Sequence, residues 1–379
     1  MESAHMRVVR RWCPLSLCSG MALCTLLLSA CTASTAGTAS SGGALRWRFQ
    51  PPGSTVGVPA IANGVVYIGS TDGALSALDA STGTVRWQAW PGGQGTLSPA
   101  IATGMVYFGS NIGPTDGLFS ALDASTGAVR WQHQISGSQE AAPVVANGVV
   151  YVSTTGELIA LDSRTGALRW RSQPGSSPSF SSPVVANGVV YANSEADQSI
   201  YALDASTGAV RWRFTAPFLT AGEFPAAPAM EQGTVYAVFV HNGAFANPTS
   251  SIYALDATTG AIRWSVHDSK TAYSAPAVAH GVIYLSAIGR AVMALDANTG
   301  AVRWRFATSV ASDAVPAVAD GVVYVGCADG TVDALDAGSG AQRWRFQTDR
   351  ATQGGPLLPV VANGTVYVGS GTSLYALNA

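Results

Sequence analysis

An eleven-residue phrase, Ala-Leu-Asp-Ala-Ser-Thr-Gly-Thr-Val-Arg-Trp at residues 77–87, returns again and again along the chain. Its closing tryptophans are Trp87, Trp131, Trp170, Trp212, Trp264, Trp304 and Trp344, and an earlier partner, Trp47, ends the fragment Ala-Leu-Arg-Trp. Successive intervals from Trp47 onward are 40, 44, 39, 42, 52, 40 and 40 residues. A second marker keeps the same step: Pro59, Pro99, Pro143, Pro183, Pro228, Pro276, Pro316 and Pro359. Both markers give eight units, and a period of this length restricts the fold to a solenoid, an array or a propeller.

Each unit reads as four short strands. In the first, strand A is the Pro-Ala-Ile-Ala segment (59–62), strand B is 65–69, strand C is 75–79 and strand D is 85–88. Asn63-Gly64, Asn147-Gly148 and Asn363-Gly364 separate A from B, and Asn-Gly tolerates the positive φ angles of tight hairpin turns. Four strands per unit is the composition of a propeller blade. The chain begins with a lone D strand at 44–50 and stops at a C strand, Tyr-Ala-Leu-Asn-Ala at 375–379. The first piece therefore completes the last blade, which leaves no open sheet end to cap. The expected fold is all-β: an eight-bladed β-propeller of four-stranded antiparallel blades over residues 44–379.

Composition agrees. Charged residues are 11% of the chain, against about 25% in a typical soluble domain, while glycine numbers 42 and the single lysine is Lys270. Many short strands and tight turns produce such a balance. The formal net charge of −2 marks no nucleic-acid binder.

The N-terminus reads as an export signal over 1–30. Arg7, Arg10 and Arg11 precede an apolar stretch from about residue 12 to 28, too short and interrupted for a good membrane span. Leu28-Ser29-Ala30-Cys31 then resembles a bacterial lipobox, which implies lipidation of Cys31. The pair Arg10-Arg11 stands in a poor twin-arginine context, so the export route stays open. Residues 31–43 include the low-complexity run TASTAGTASS and read as a flexible tether. Cys13, Cys18, Cys24 and Cys31 precede the propeller and only Cys327 lies within it, so no disulfide framework forms there.

The motif Ala-x-Asp-x-x-Thr-Gly-x-x-x-Trp resembles the tryptophan-docking motif of the quinoprotein-type, PQQ-like propeller family. That family includes the pyrroloquinoline quinone (PQQ) alcohol dehydrogenases and BamB-like envelope lipoproteins. The resemblance covers 44–379, with Ser339 in place of Thr in the last copy. It implies that Trp47, Trp87, Trp131, Trp170, Trp212, Trp264, Trp304 and Trp344 pack between neighbouring blades, leaving Trp12 and Trp90 without that role. The motif specifies the fold and says little about function.

An arginine precedes every motif tryptophan, and Arg48, Arg171, Arg213, Arg305 and Arg345 follow five of them. Alternation along a strand turns these away from the tryptophan, where charge protects an outer edge. Antiparallel order puts the A–B and C–D turns on one face of the ring and the B–C and D–A loops on the other. The first set barely varies; the second holds the large differences, at 111–116, 174–180, 217–225 and 241–250. Variation confined to one face points to function there. Asp72, Asp116, Glu140, Glu157, Glu195, Asp197, Glu223, Asp268, Asp313, Asp329 and Asp349 are expected on that face, opposed by Lys270, Arg290 and Arg350. Loop solvation accounts for such residues; the functional counterpart is a cation site or a basic partner.

The positions three residues before each strand-A proline are Val56, Thr96, Glu140, Phe180, Pro225, Tyr273, Asp313 and Pro356. Equivalent positions in eight blades form a ring, and Glu140, Phe180, Tyr273 and Asp313 are its candidate ligand-binding members at the channel mouth, suited to a small polar ligand or Ca²⁺. Quinone enzymes of the family are expected to hold PQQ between a tryptophan and a disulfide of adjacent cysteines, beside a calcium. No cysteines are adjacent here. His133, His241 and His267 are expected on variable loops, without metal-binding spacing, and Cys327 reads as a small buried residue of strand B. The leading expectation is a monomeric, non-catalytic, lipid-anchored scaffold outside the cytoplasm, on the cell membrane or outer membrane, binding an envelope protein or small ligand through the B–C/D–A face. The alternative is a PQQ- or metal-dependent oxidoreductase.

Overall fold

The computed structural model describes residues 42–51, 57–95, 98–113, 116–137, 141–175, 181–217, 223–243, 247–287, 290–310, 312, 314–349 and 357–379. Their strands form eight antiparallel sheets. Blade 1 shows the pattern: A is Ala60–Ala62, B Val65–Gly69, C Leu75–Asp79 and D Val85–Ala89. Blade 8 takes Pro359–Ala362, Thr365–Ser370 and Ser373–Asn378 from the end of the chain and its D strand, Leu45–Phe49, from the beginning. Trp47 lies opposite Ala376 in that closing pair. The ring is an eight-bladed propeller closed as the sequence predicts.

B and C strands are buried along almost their whole length because each blade is covered on both faces by its neighbours. D strands, on the rim, alternate between exposed and half-buried positions. The tryptophan explains the repeat. Trp87 of blade 1 donates its indole N–H to the Ala124 carbonyl of blade 2 at 3.0 Å. Tyr67, from strand B of the same blade, donates to that carbonyl too, at 3.1 Å, and the two rings stand 5.9 Å apart. One carbonyl thus satisfies two buried donors, which would otherwise be costly. The pairing recurs from Tyr107 and Trp131 onto Ser163, and from Tyr236 and Trp264 onto Ala297.

The Asp-x-x-Thr-Gly turn holds two functions in one carboxylate. Asp79 Oδ1 accepts the Ser81 and Thr82 N–H groups at 2.9 and 3.1 Å, while Oδ2 accepts from Arg86 Nη2 at 2.6 Å. A bulge between Ala77 and Leu78 swings Arg86 toward that carboxylate. The arginines before the tryptophans of blades 1 to 7 are therefore ion-paired within their own blade, from Arg86–Asp79 to Arg343–Asp336. Gly83 has φ +72°, and a Cβ there would stand 2.7 Å from Trp47, so this position excludes side chains on two grounds. In blade 8 the turn is divided between the chain's two ends. Asn378 replaces the aspartate, Gly43 N–H donates to Asn378 O at 2.9 Å, and Gly43 lies under Trp344.

These pairs predict an acid limb in the stability curve. Hydrogen bonds from Arg169 and Arg263 hold Asp162 and Asp256 down to about 2. A depressed folded value means stability is present above the unfolded value, about 3.9, and lost as pH falls toward the folded one. The melting temperature should therefore be flat from pH 7 to 5 and fall progressively below pH 4. A flat profile down to pH 2 would show that the pairs carry no folding free energy.

Blades 2 and 5 depart from the expected pattern. Where the sequence points to loops at 111–116 and 241–250, hairpins continue: Met105–Asn111 with Asp116–Asp123, and Thr234–Gly243 with Asn247–Asp256. The second pair is ten residues per strand, about twice the length of Val65–Gly69. Glu223–Pro225 adds a further short strand along its edge, giving blade 5 five strands.

Candidate functional site

The B–C/D–A face is less acidic than its loops imply. Arg48, Arg171 and Arg213, counted at sequence level as rim charges, reach its carboxylates. Arg48 pairs with Asp349, Arg171 approaches Glu157 at 3.8 Å and Arg213 approaches Asp197 at 3.4 Å. The cause is geometry: the second arginine of Arg-Trp-Arg lies a pleat further along strand D, toward this face. Other carboxylates cap their own turns, as Asp329 does for the Thr331 N–H at 3.0 Å.

Of the expected channel-mouth ring, Glu140, Phe180 and Asp313 lie outside the described residues, as does the proposed lipid site Cys31. Tyr273 is described. It is 4% exposed, packs in the blade 5–6 core, and donates to Asp268 Oδ2 at 2.6 Å. Burial, then Asp268, pushes its hydroxyl well above the usual tyrosine range. A hydroxyl so engaged is a packing group, withdrawn from the set of open ligand contacts. Pro225, at the preceding ring position, is buried as well.

The histidines also move. His133 belongs to strand D of blade 2, Val129–Ser136, opposite Phe119. Burial, then Arg171, lowers its pKa. His267 lies in Ile262–Asp268, with Nδ1 3.0 Å from Ser251 Oγ, and His241 lies in Thr234–Gly243. Longer strands in blades 2 and 5 absorb what the sequence shows as loop. Cys327 follows strand B of blade 7, Val322–Gly326, and is fully buried. Burial, then Asp333 and Asp329, raises its thiol to about 12.

Asp333, beside it, is the residue the sequence reading missed. Its side chain is 0% exposed and takes a double hydrogen bond from Arg345, at 2.7 and 3.0 Å, with Gln342 Nε2 at 3.0 Å. Blades 1 and 2 place Ser76 and Ser120 at the same register and blades 3 to 6 place Ile159, Tyr201, Tyr253 and Met293 there, so a carboxylate at a register that is otherwise uncharged is the available signal.

An open cleft of ≈ 620 Å³ lies on this face between blades 1 and 2, lined by Thr71, Gly93 to Gly95 and Asn111 to Gly113. The D–A segment is clamped there: Gln94 and Asn111 exchange N–H···O bonds, both 2.8 Å, and Gly95 N–H donates to Thr71 O at 3.4 Å. Among the described residues no side chain lining it carries a charge.

The quinone implied by the resemblance does not fit the residues present. No two cysteines are adjacent. Cys327 is a buried, protonated thiol. Among the described residues no three His, Cys, Asp or Glu side chains converge to hold a metal ion. No helix among them is long and apolar enough to cross a membrane.

Eight blades, seven of them locked by a tryptophan that donates to the next blade and one by Trp344 against Gly42 and Gly43, define a propeller of the quinoprotein type. A family model described as outer membrane protein assembly factor BamB matches residues 31–154, 115–249 and 248–379, and the chain belongs to that family. No curated protein matches it. Among solved structures it is similar to BamB from Moraxella catarrhalis, at 21% identity and TM-score 0.70, covering 89% of this chain and 100% of that one. It is also similar to the quinohemoprotein alcohol dehydrogenase of Comamonas testosteroni, at 18% identity and TM-score 0.65, covering 88% of this chain and 76% of that one. The computationally designed Ika8 protein shares 15% identity at TM-score 0.73, over 90% of this chain and 100% of that one. At these identities the structural likeness is one of fold.

Proposed function

We propose that the protein is a non-catalytic scaffold outside the cytoplasm, anchored through lipid on Cys31, that docks an envelope protein on its B–C/D–A face. The observation that carries this reading is the ten-residue hairpin of blade 5, Thr234–Gly243 with Asn247–Asp256, which extends toward that face well past the hairpin of blade 1. Five extra residues per strand add roughly 15 Å of projecting hairpin. The A–B and C–D turns opposite repeat one geometry and offer no comparable departure. Membership of a family described as an assembly factor supports a docking role.

Two measurements test it. A fatty-acid analogue should label the wild type and not Cys31→Ser. A photo-crosslinking residue at position 249, in the hairpin, should give one discrete adduct with an envelope protein, and one at 81, on the opposite face, should give none. Labelling of both chains or neither rejects the anchor; adducts from 81 alone reject the docking face.

A further inference from the structure

We infer that the A–B/C–D face is a membrane-contact surface, seating the ring on a phospholipid bilayer through a rim of aliphatic and arginine side chains. This deepens the anchoring reading and rests on it for the choice of a bilayer as occupant; unlipidated protein tests it, so the two can fail separately. Val85, Val129, Leu168, Val210, Ile262 and Val302 in blades 1 to 6, and Leu45 in blade 8, are 40–58% exposed. Each is the first residue of its D strand, where the C–D turn ends. Single exposed aliphatics are ordinary on any protein. Here the residue drifts among Val, Leu and Ile while its apolar character stays, whereas the other exposed large apolar residues, Trp90 and Ile112, recur in no second blade. Blade 7 has Gln342 at this position, and its amide is taken up by Asp333 at 3.0 Å.

The next residue in every blade is an arginine. In blades 1 to 7 it pairs with the turn aspartate, and in all seven pairs the arginine is the more exposed partner, 44–57% against 18–34%. Arg169, Arg211 and Arg343 also reach the A–B turn carbonyls of Gly148, Gly188 and Gly321, each at 3.4 Å, so these guanidinium groups lie across the turn face. In blade 8 Asn378 stands in the aspartate's place, and Arg46 donates to Thr365 instead. Aliphatic side chains beside guanidinium groups match both halves of a bilayer interface: phosphates accept from arginine, and the acyl boundary receives the aliphatics.

Three observations select a bilayer over a protein. The chain enters the ring at this face, with Gly43 N–H on Asn378 O at 2.9 Å and Gly42 against Trp344, so the segment leading back to Cys31 departs from it. The contact is spread evenly over seven blades, which suits a broad uniform surface and not a single protein epitope. The opposite face carries acidic loops, with Asp72, Asp116, Asp268 and Asp329, which anionic headgroups repel. Seating the turn face on lipid leaves the blade 5 hairpin open to a docking partner.

The test is co-sedimentation of the chain from residue 32 onward, which keeps the whole closed ring, with phosphatidylethanolamine–phosphatidylglycerol vesicles. It should bind by about 5 mM lipid, and less than threefold of the affinity should be lost between 50 mM and 500 mM salt, because apolar contact is not screened. The triple variant Val210→Ser, Ile262→Ser, Val302→Ser should bind at least fivefold more weakly and keep its melting temperature, since these side chains are half exposed. Should the triple variant not fold, Val302→Ser alone, at the most exposed of the seven positions, should weaken binding about twofold. Trp90→Ala with Ile112→Ser, on the opposite face, should bind as the wild type does. No sedimentation, equal binding by the serine variants, or loss in the Trp90 and Ile112 variant overturns the inference. So does a dimer in solution that the serine variants dissolve, which would make a second copy the occupant. Sedimentation without fatty-acid labelling at Cys31 would remove the anchor alone.

Discussion

Trp47→Ala should lower the melting temperature by roughly 5–10 °C, which corresponds to a loss of about 3–5 kcal/mol for a buried tryptophan in a chain of this size. The ring is 8% exposed and packs against Val66, Ile68 and Leu78 of blade 1 and Tyr367, Leu374 and Ala376 of blade 8. It is the seam at which the two ends of the chain close the propeller. Trp47→Phe retains most of the buried area and gives up the hydrogen bond to Ala80 O, so it should cost only about 1 kcal/mol. Removing residues 42–50 strips the whole strand from Ser373–Asn378 and should cost more than the alanine variant. Calorimetric melts of the three variants decide this; a deletion that melts with the wild type would mean that the strand does not hold the ring shut.

Arg345→Gln should destabilise by about 2–4 kcal/mol, because it leaves the Asp333 carboxylate enclosed without its cation. The figure lies below that of a fully enclosed pair since the Arg345 side chain is 41% exposed. The repeat itself supplies the control. Blade 1 fills this register with Ser76 and Gln88, hydrogen-bonded at 3.0 Å, and blade 2 with Ser120 and Gln132 at 3.1 Å. The double variant Asp333→Ser, Arg345→Gln copies that arrangement and should recover to within about 1 kcal/mol of the wild type. Urea unfolding measures all three chains. If the double variant is no better than the single, the buried charge is not what makes Arg345 necessary.

The blade count, the four-strand unit and the split last blade were legible in the sequence because a propeller writes them as period. Trp47, Pro59 and Asn63-Gly64 each mark a backbone requirement that every copy must meet. The positive φ at Asn63 and Gly64, 50° and 72°, is the one expected of that pair, and Thr103 and Gln232 adopt it without being asparagine. Contacts between blades were not legible in the same way. Tyr67 repeats as faithfully as Trp87, yet only the ring geometry shows that both donate to one carbonyl. The loop face was read least well, since strand length there depends on pairing. His133 and His267 sit in strands because their partners, Phe119 and Ser251, continue the ladder. Tyr273 looked like a channel group by register and is a core group by packing.

The divided turn of blade 8 also sets the face from which the chain enters the ring. Gly42 and Gly43 lie against Trp344 in the C–D turn, so the chain enters the ring from the conserved face. Ten residues, 32–41, separate that entry from Cys31. Ten residues span at most about 35 Å. A lipid on Cys31 would thus suspend the propeller with its Asp–Arg turns toward the bilayer and its long hairpin pointing away from it. On that geometry a partner is met from the aqueous side of the compartment, and a protein embedded in the same leaflet would have to rise above the disc, or tip it, to touch the blade 5 hairpin.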